Sequence, residues 1–153
     1  MRGRPPRPPI VYHAILVAAQ FALIVAIAWH AHVERVHPVA VMLFVVGCLL
    51  GLWTLVFNRP GNFNIRPAIK ETAQLIVHGP YRFMRHPMYT ALILAMAGCA
   101  LNGWPDTVAV WCLGALIVVL VLKMDEEEKL LKQRFPEYTV YMQRTARLLP
   151  GIL

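Results

Sequence analysis

Two polar blocks interrupt a chain that is otherwise rich in hydrocarbon, and their residue types suit the binding of a small charged molecule. The first is HGPYRFMRHPMY, His78 to Tyr89. Gly79-Pro80 is a turn signal, and Pro87 suits the first turn of a helix, where its missing N–H is not needed. Arg85 and His86 then stand at a helix N-terminus, where free backbone N–H groups and the helix dipole favour an anionic group such as a carboxylate or phosphate. The second block is KMDEEEKLLKQRF, Lys123 to Phe135. If it is helical, positions 123, 127, 130/131 and 134 share one face. That face aligns Lys123, Glu127 and Arg134 with leucine between them, and leaves Glu126 and Lys129 as solvated charge. Each block also has a plainer reading. The first would be an interfacial turn, with Tyr81 and Tyr89 as belt aromatics and Arg82 and Arg85 reaching for headgroups. The second would be a charged exit from a membrane.

The elements that must position these blocks follow from composition. Of 153 residues 58% are hydrophobic and only 15% charged, and the mean hydropathy is +0.54, too apolar for a soluble domain of this size. Four apolar segments are expected to span a bilayer, at 11–29, 39–57, 88–101 and 107–122, since a spanning helix needs about 20 residues. None contains Asp, Glu, Lys or Arg. The third is short and must borrow residues from its flanks; only Asn-Gly-Trp-Pro-Asp separates it from the fourth, so the two form a helical hairpin. With four spans, fourteen of the fifteen Lys and Arg residues fall on one side, the cytoplasmic side by the positive-inside rule, together with both termini. The net charge of +7 reads as this bias plus attraction to anionic headgroups, not as nucleic-acid binding.

Other polar groups carry less. MRGRPPRPPI is an extended tail before an anchored first helix, not a cleaved signal. His30, His32 and His37 lack convincing third and fourth metal ligands and read as an interfacial polar loop, with no metal expected. Cys48, Cys99 and Cys112 sit in apolar segments without metal or redox spacing and are expected to be small buried residues.

A hairpin returns the chain to the side it left, so the block before the third helix and the block after the fourth can face one cytoplasmic pocket. GPYRFMRHPMY (Gly79 to Tyr89), EEKLLKQRF (Glu127 to Phe135) and YTVYMQRTARLLP (Tyr138 to Pro150) together resemble the isoprenylcysteine carboxyl methyltransferase family and the related membrane phospholipid methyltransferases. The resemblance implies S-adenosylmethionine as methyl donor, bound without a Rossmann domain; no glycine-rich strand-to-helix fingerprint is present. It implies cofactor binding by Gln74, Leu75, Ile76, Tyr81, Arg85, His86, Glu127 and Glu128, with His86 or Arg85 suiting the carboxylate and Glu127 the ammonium. Lys123, one turn before the glutamates, takes the position of the basic residue that meets the substrate, where the animal enzymes have arginine. Lysine keeps the charge but not the bidentate fork. Arg134 is a second candidate to orient an anionic substrate, and Tyr89 joins Lys123 and Arg134 as a candidate catalytic residue. Ala91 departs from the glycine common after this motif.

The expected fold is therefore an all-α polytopic membrane protein with four transmembrane helices and a C-terminal cytoplasmic amphipathic helical segment. It is read as one domain: tail 1–10, spans 11–57, and a methyltransferase core 58–153. The expected activity is methyl transfer to a lipophilic acceptor from the cytoplasmic face of a bacterial inner membrane, with membrane lipids as partners. Phospholipid or small-molecule N- or S-methylation is the alternative within enzymes. A small four-helix transporter or assembly protein is the alternative outside them, weakened by the lack of an ionisable residue within the spans.

Overall fold

The computed structural model describes residues 10–31, 36–58 and 75–150. They form α1 (Ile10–Trp29), α2 (Pro38–Phe57), a 3-10 turn (Gly79–Arg82), α3 (Pro87–Asn102), α4 (Thr107–Arg134) and α5 (Tyr138–Arg144). Among the described residues there is no strand, only an isolated parallel bridge between Met84 and Ala146. Gln74 and His32 lie outside the described residues.

Local sequence explains the boundaries. Pro38 opens α2 behind His37, whose Nδ1 accepts from Val39 N–H at 3.3 Å. Asp106 caps α4 by accepting from Val108 N–H at 2.9 Å. From Ala115 to Phe135 there is neither Gly nor Pro, so α4 continues past its apolar part until the residue before Pro136, which is driven out of the helical region. At 1.5 Å per residue α1 and α2 are each about 30 Å long, enough to cross a hydrocarbon core. The 28 residues of α4 extend about 42 Å, so its last turns, beyond the apolar 107–122 stretch, project past the bilayer. These three helices are long and apolar enough to span. α3 gains Pro87 and Asn102 over the expected segment, yet its 16 residues reach only about 24 Å.

The helices run up and down, with α3 packed against α2, α4 and α1. Ile27, Met96, Ala100, Ala109, Leu116 and Leu120 form the core between α1, α3 and α4. Leu49, Leu52, Trp111 and Val118 are exposed on the outside, where acyl chains would cover them. Cys48 is exposed on that outer surface, while Cys99 and Cys112 are half-buried. The expectation of three buried cysteines therefore fails at Cys48, because α2 buries a narrow seam and Cys48 lies beside it.

That seam is made of small residues. A Cβ added at Gly47 would stand 2.6 Å from Ala95 N and 2.7 Å from Ala91 O, and one at Gly98 would stand 2.5 Å from Ala40 O. Backbone therefore touches backbone along α2 and α3, the contact that small residues permit between membrane helices. The methyl of Ala91 faces Gly51, where an added Cβ would stand 3.7 Å from it, an ordinary contact distance.

Gly98→Ala is expected to destabilise the bundle by about 1–3 kcal/mol, as overpacking does when backbone must move. Gly114, whose added Cβ would meet nothing within 4 Å, is the control: Gly114→Ala should leave stability equal or higher. Thermal unfolding of the two variants in one detergent checks the contrast.

Candidate functional site

The hairpin of α3 and α4 brings the two polar blocks together beyond the apolar part of α4, and Glu128 is where they meet. Its Oε1 accepts from Arg85 Nε at 2.9 Å and lies 3.1 Å from His86 Nε2. Arg147 Nε approaches the same oxygen to 3.5 Å, and the Arg147 guanidinium also pairs with Asp125. Burial alone would raise the Glu128 carboxyl. The hydrogen bonds from His86 and Arg85, with the positive charge of Arg147, outweigh it and hold the group at about 2.

Glu127 has a different environment. Its Oε1 accepts from Tyr89 Oη at 2.5 Å, and its Oε2 lies 3.7 Å from His86 Nδ1. Its side chain keeps 24% of its surface exposed, against 10% for Glu128. The His86 ring stacks on Tyr89 at 5.7 Å, so one buried histidine separates the two carboxylates. The face of Tyr89 carries Lys123 Nζ 5.5 Å from its centroid, and that ammonium donates to Gln20 Oε1 of α1 at 2.6 Å.

The chain after α5 closes the cluster. Arg85 N–H donates to Ala146 O and His86 N–H to Arg147 O, while Ala146 N–H donates to Phe83 O. Arg85 Nη1 donates to the carbonyls of Met142 and Thr145, and Thr90 Oγ1 donates to Leu148 O at 3.0 Å. The expected amphipathic C-terminal segment is thus one seven-residue helix followed by an extended strap. Beside it, Tyr141 Oη donates to Tyr81 O at 2.6 Å. The 3-10 turn that carries Tyr81 depends on Gly79, at φ +61 and packed beneath Phe57 so closely that a Cβ would fall 2.5 Å from its ring. Burial, and then the charge of Glu127, push the Tyr81 phenol up to about 12.

Of the residues expected from the sequence, Arg85, His86, Tyr89, Lys123, Glu127 and Glu128 converge. Tyr81 joins them through Tyr141, and Ile76 is buried just before the turn. Three expectations change. Arg85 and the N-terminus of α3 do not stand open to an anionic group: the guanidinium serves Glu128 and two carbonyls, and the N–H groups of Arg85 and His86 serve the strap. Arg134, expected in line with the buried Lys123, is exposed near the end of α4. Glu126 is not plain solvated charge, for its side chain is only 16% exposed and pairs with Lys129, which is 65% exposed. Gln20, Tyr138 and Arg147 were not singled out by sequence. A lone glutamine in an apolar helix was the available signal for the first.

At the other end of the bundle His30 Nδ1 lies 2.5 Å from Asp106 Oδ2, and His37 N–H donates to Asn102 Oδ1 at 3.0 Å. These contacts tie α1 and α2 to the α3–α4 turn. Among the described residues no three His, Cys, Asp or Glu side chains converge as a metal site.

Removing one partner of a buried ion pair is worth about 3–5 kcal/mol, so Glu128→Ala should lower stability by that order and release the strap to proteolysis. Because the folded Glu128 carboxyl is depressed below its ordinary 4.5, its contribution is complete above pH 4.5 and lost as pH falls toward 2. Acid unfolding followed by tryptophan fluorescence should show a loss across that window in the native protein and a flattened one in Glu128→Ala.

Comparison with known proteins gives the family. A curated relative, the cobalt-zinc-cadmium resistance protein CzcN of Cupriavidus metallidurans, is 32% identical over 85 residues, covering 54% of this chain and 38% of that protein. The nickel-cobalt-cadmium resistance protein NccN of Alcaligenes xylosoxydans xylosoxydans is 28% identical over 85 residues, covering 54% and 39%. The match thus spans about two-fifths of the length of each. The phospholipid methyltransferase family model matches residues 35–138, from before α2 to the first residue of α5. With its membrane helices and a polar cluster built from both motif blocks inside that span, the chain belongs to the phospholipid methyltransferase family.

Proposed function

We propose that the protein is an S-adenosylmethionine-dependent membrane methyltransferase. It binds its methyl donor at the cytoplasmic end of a four-span bundle and methylates a lipophilic acceptor, in the manner of the isoprenylcysteine carboxyl methyltransferases. The observation that carries this reading is the unequal treatment of two adjacent carboxylates. Glu128 is consumed by Arg85, His86 and Arg147, whereas Glu127 accepts from one hydroxyl, has its other oxygen 3.7 Å from His86 Nδ1 and stays 24% exposed. The donor set fits the cofactor: a carboxylate for its ammonium, and Tyr81 with apolar Leu75 and Ile76 for its flat base. Gln74, expected beside them, belongs to the same proposal. When bound, S-adenosylmethionine supplies an electrophilic methyl group on a sulfonium sulfur.

The chain's own residues supply position and dryness. Tyr89 fixes the rotamer of Glu127, and His86 stacks behind Tyr89. The strap pairs with the residues just before α3 and shields Arg85, His86 and Glu128 from water. Lys123, buried between Gln20 and the Tyr89 ring, sets a cation inside the bundle beside the cluster, which suits an anionic acceptor head that enters between helices. Arg134, exposed near the end of α4, remains proposed for orienting such a head at the surface. A carboxylate acceptor is already ionised at neutral pH and needs no base. That matches a site where Tyr89 donates to Glu127 and burial keeps the Tyr81 phenol protonated. The family description favours a second reading, methylation of a phospholipid. Every Lys and Arg among the described residues lies at or beyond this end of the bundle, which supports its cytoplasmic placement.

Calorimetry on detergent-purified protein tests the reading. Wild type should bind S-adenosylmethionine in the micromolar range, and Glu127→Gln should bind it about 10- to 100-fold more weakly, the loss of one charged hydrogen bond. Lys129→Ala, altered on an exposed side chain, should bind as wild type does. Folded wild-type protein that binds no S-adenosylmethionine would sink the proposal.

A further inference from the structure

Tyr138 is the largest fully buried side chain among the described residues, at 1% exposure. Its hydroxyl oxygen is buried and has no hydrogen-bond partner among the described residues. A buried hydroxyl without a partner is unfavourable by about 1–3 kcal/mol, and phenylalanine would fill the same space without that penalty. The neighbouring tyrosines differ: Tyr89 Oη donates to Glu127 and Tyr141 Oη to the Tyr81 carbonyl. The Tyr138 ring packs 5.7 Å from that of Tyr141. Its phenol is within electrostatic reach of Glu128, Arg85 and Glu127, and burial followed by the Glu128 charge raises it, keeping the hydroxyl protonated and able to donate.

The position matters because the donors expected to greet an anionic group at this end are occupied. Arg85 serves Glu128 and the strap carbonyls, and His86 lies between Glu127 and Glu128. Tyr138, on α5, brings a hydroxyl within electrostatic reach of the same charged cluster, and the Arg85 contacts to Met142 and Thr145 hold α5 beside it.

We infer that Tyr138 is a ligand-binding residue of this site, its hydroxyl donating to an acceptor on the polar amino-acid end of the methyl donor. The inference rests on the S-adenosylmethionine reading above and adds to it a residue at the very edge of the family match. Tyr138 thereby couples α5 and the strap to occupancy of the site, since its only acceptor arrives with the ligand.

The test uses the whole chain and two variants, with S-adenosylmethionine as probe. Tyr138→Phe should melt at the wild-type temperature or above it in the absence of ligand, and should bind S-adenosylmethionine about tenfold more weakly by calorimetry. Tyr141→Phe, which loses a hydrogen bond within the protein, should show the reverse pattern: a lower melting temperature and a smaller change in affinity. A Tyr138→Phe protein that binds S-adenosylmethionine as tightly as wild type would overturn the inference while leaving the methyltransferase reading intact. A lowered melting temperature in Tyr138→Phe would also overturn it, by assigning the hydroxyl to the fold. No binding in wild type would remove both the inference and the reading beneath it.

Discussion

A carboxylate taken out of water has to be surrounded by donors, and Glu128 meets that demand by recruiting groups from three separate parts of the chain. Arg85 and His86 come from the approach to α3, Arg147 from the strap after α5, and the carboxylate itself from the extension of α4. Leaving any one of these charges alone in the interior would be costly, so their mutual satisfaction fixes where the two ends of the hairpin stand. Once Glu128 is fixed, the next residue on the helix is fixed too. Glu127 is turned toward Tyr89 and keeps more of its surface exposed than Glu128, so two neighbours in sequence meet different surroundings.

The cluster stands on a scaffold that needs little chemistry of its own. Backbones approach closely along Gly47, Gly98 and the alanines facing them, which holds α2 against α3 and, through Phe57, sets the floor under Gly79 and the turn that carries Tyr81. At the far end, His30 with Asp106 and His37 with Asn102 tie the helices in register. The apolar core between α1, α3 and α4 then lies between two polar ends, a layout that suits a bilayer, where buried polar groups must find partners inside the protein.

α1 falls outside the residues matched by the family, yet its Gln20 holds Lys123, the cation nearest to Tyr89. The strap also falls outside the match and still supplies the carbonyls that fix Arg85. Both ends of the chain therefore shape a site whose motifs lie in the middle, and variation among relatives in these parts would alter the site without touching its motifs.

Composition and spacing by themselves determined the all-helical membrane character, the α3–α4 hairpin, the continuation of α4 past the bilayer, and the pairing of the Arg-His-Pro and Glu-Glu blocks. Those features depend on hydrophobic length, on helix periodicity and on the positions of proline and glycine, all of which are local. Tertiary structure alone decided which of two adjacent glutamates is buried, that Arg85 is spent inside the protein, that Arg134 is exposed, that Glu126 is covered, and that the Tyr138 hydroxyl is buried without a partner among the described residues. Each of these turns on a contact between residues far apart in the chain. The sequence lists the donors and acceptors; only packing decides which of them meet, because a hydrogen bond requires its partners within about 3 Å and periodicity places side chains no better than to one face of a helix.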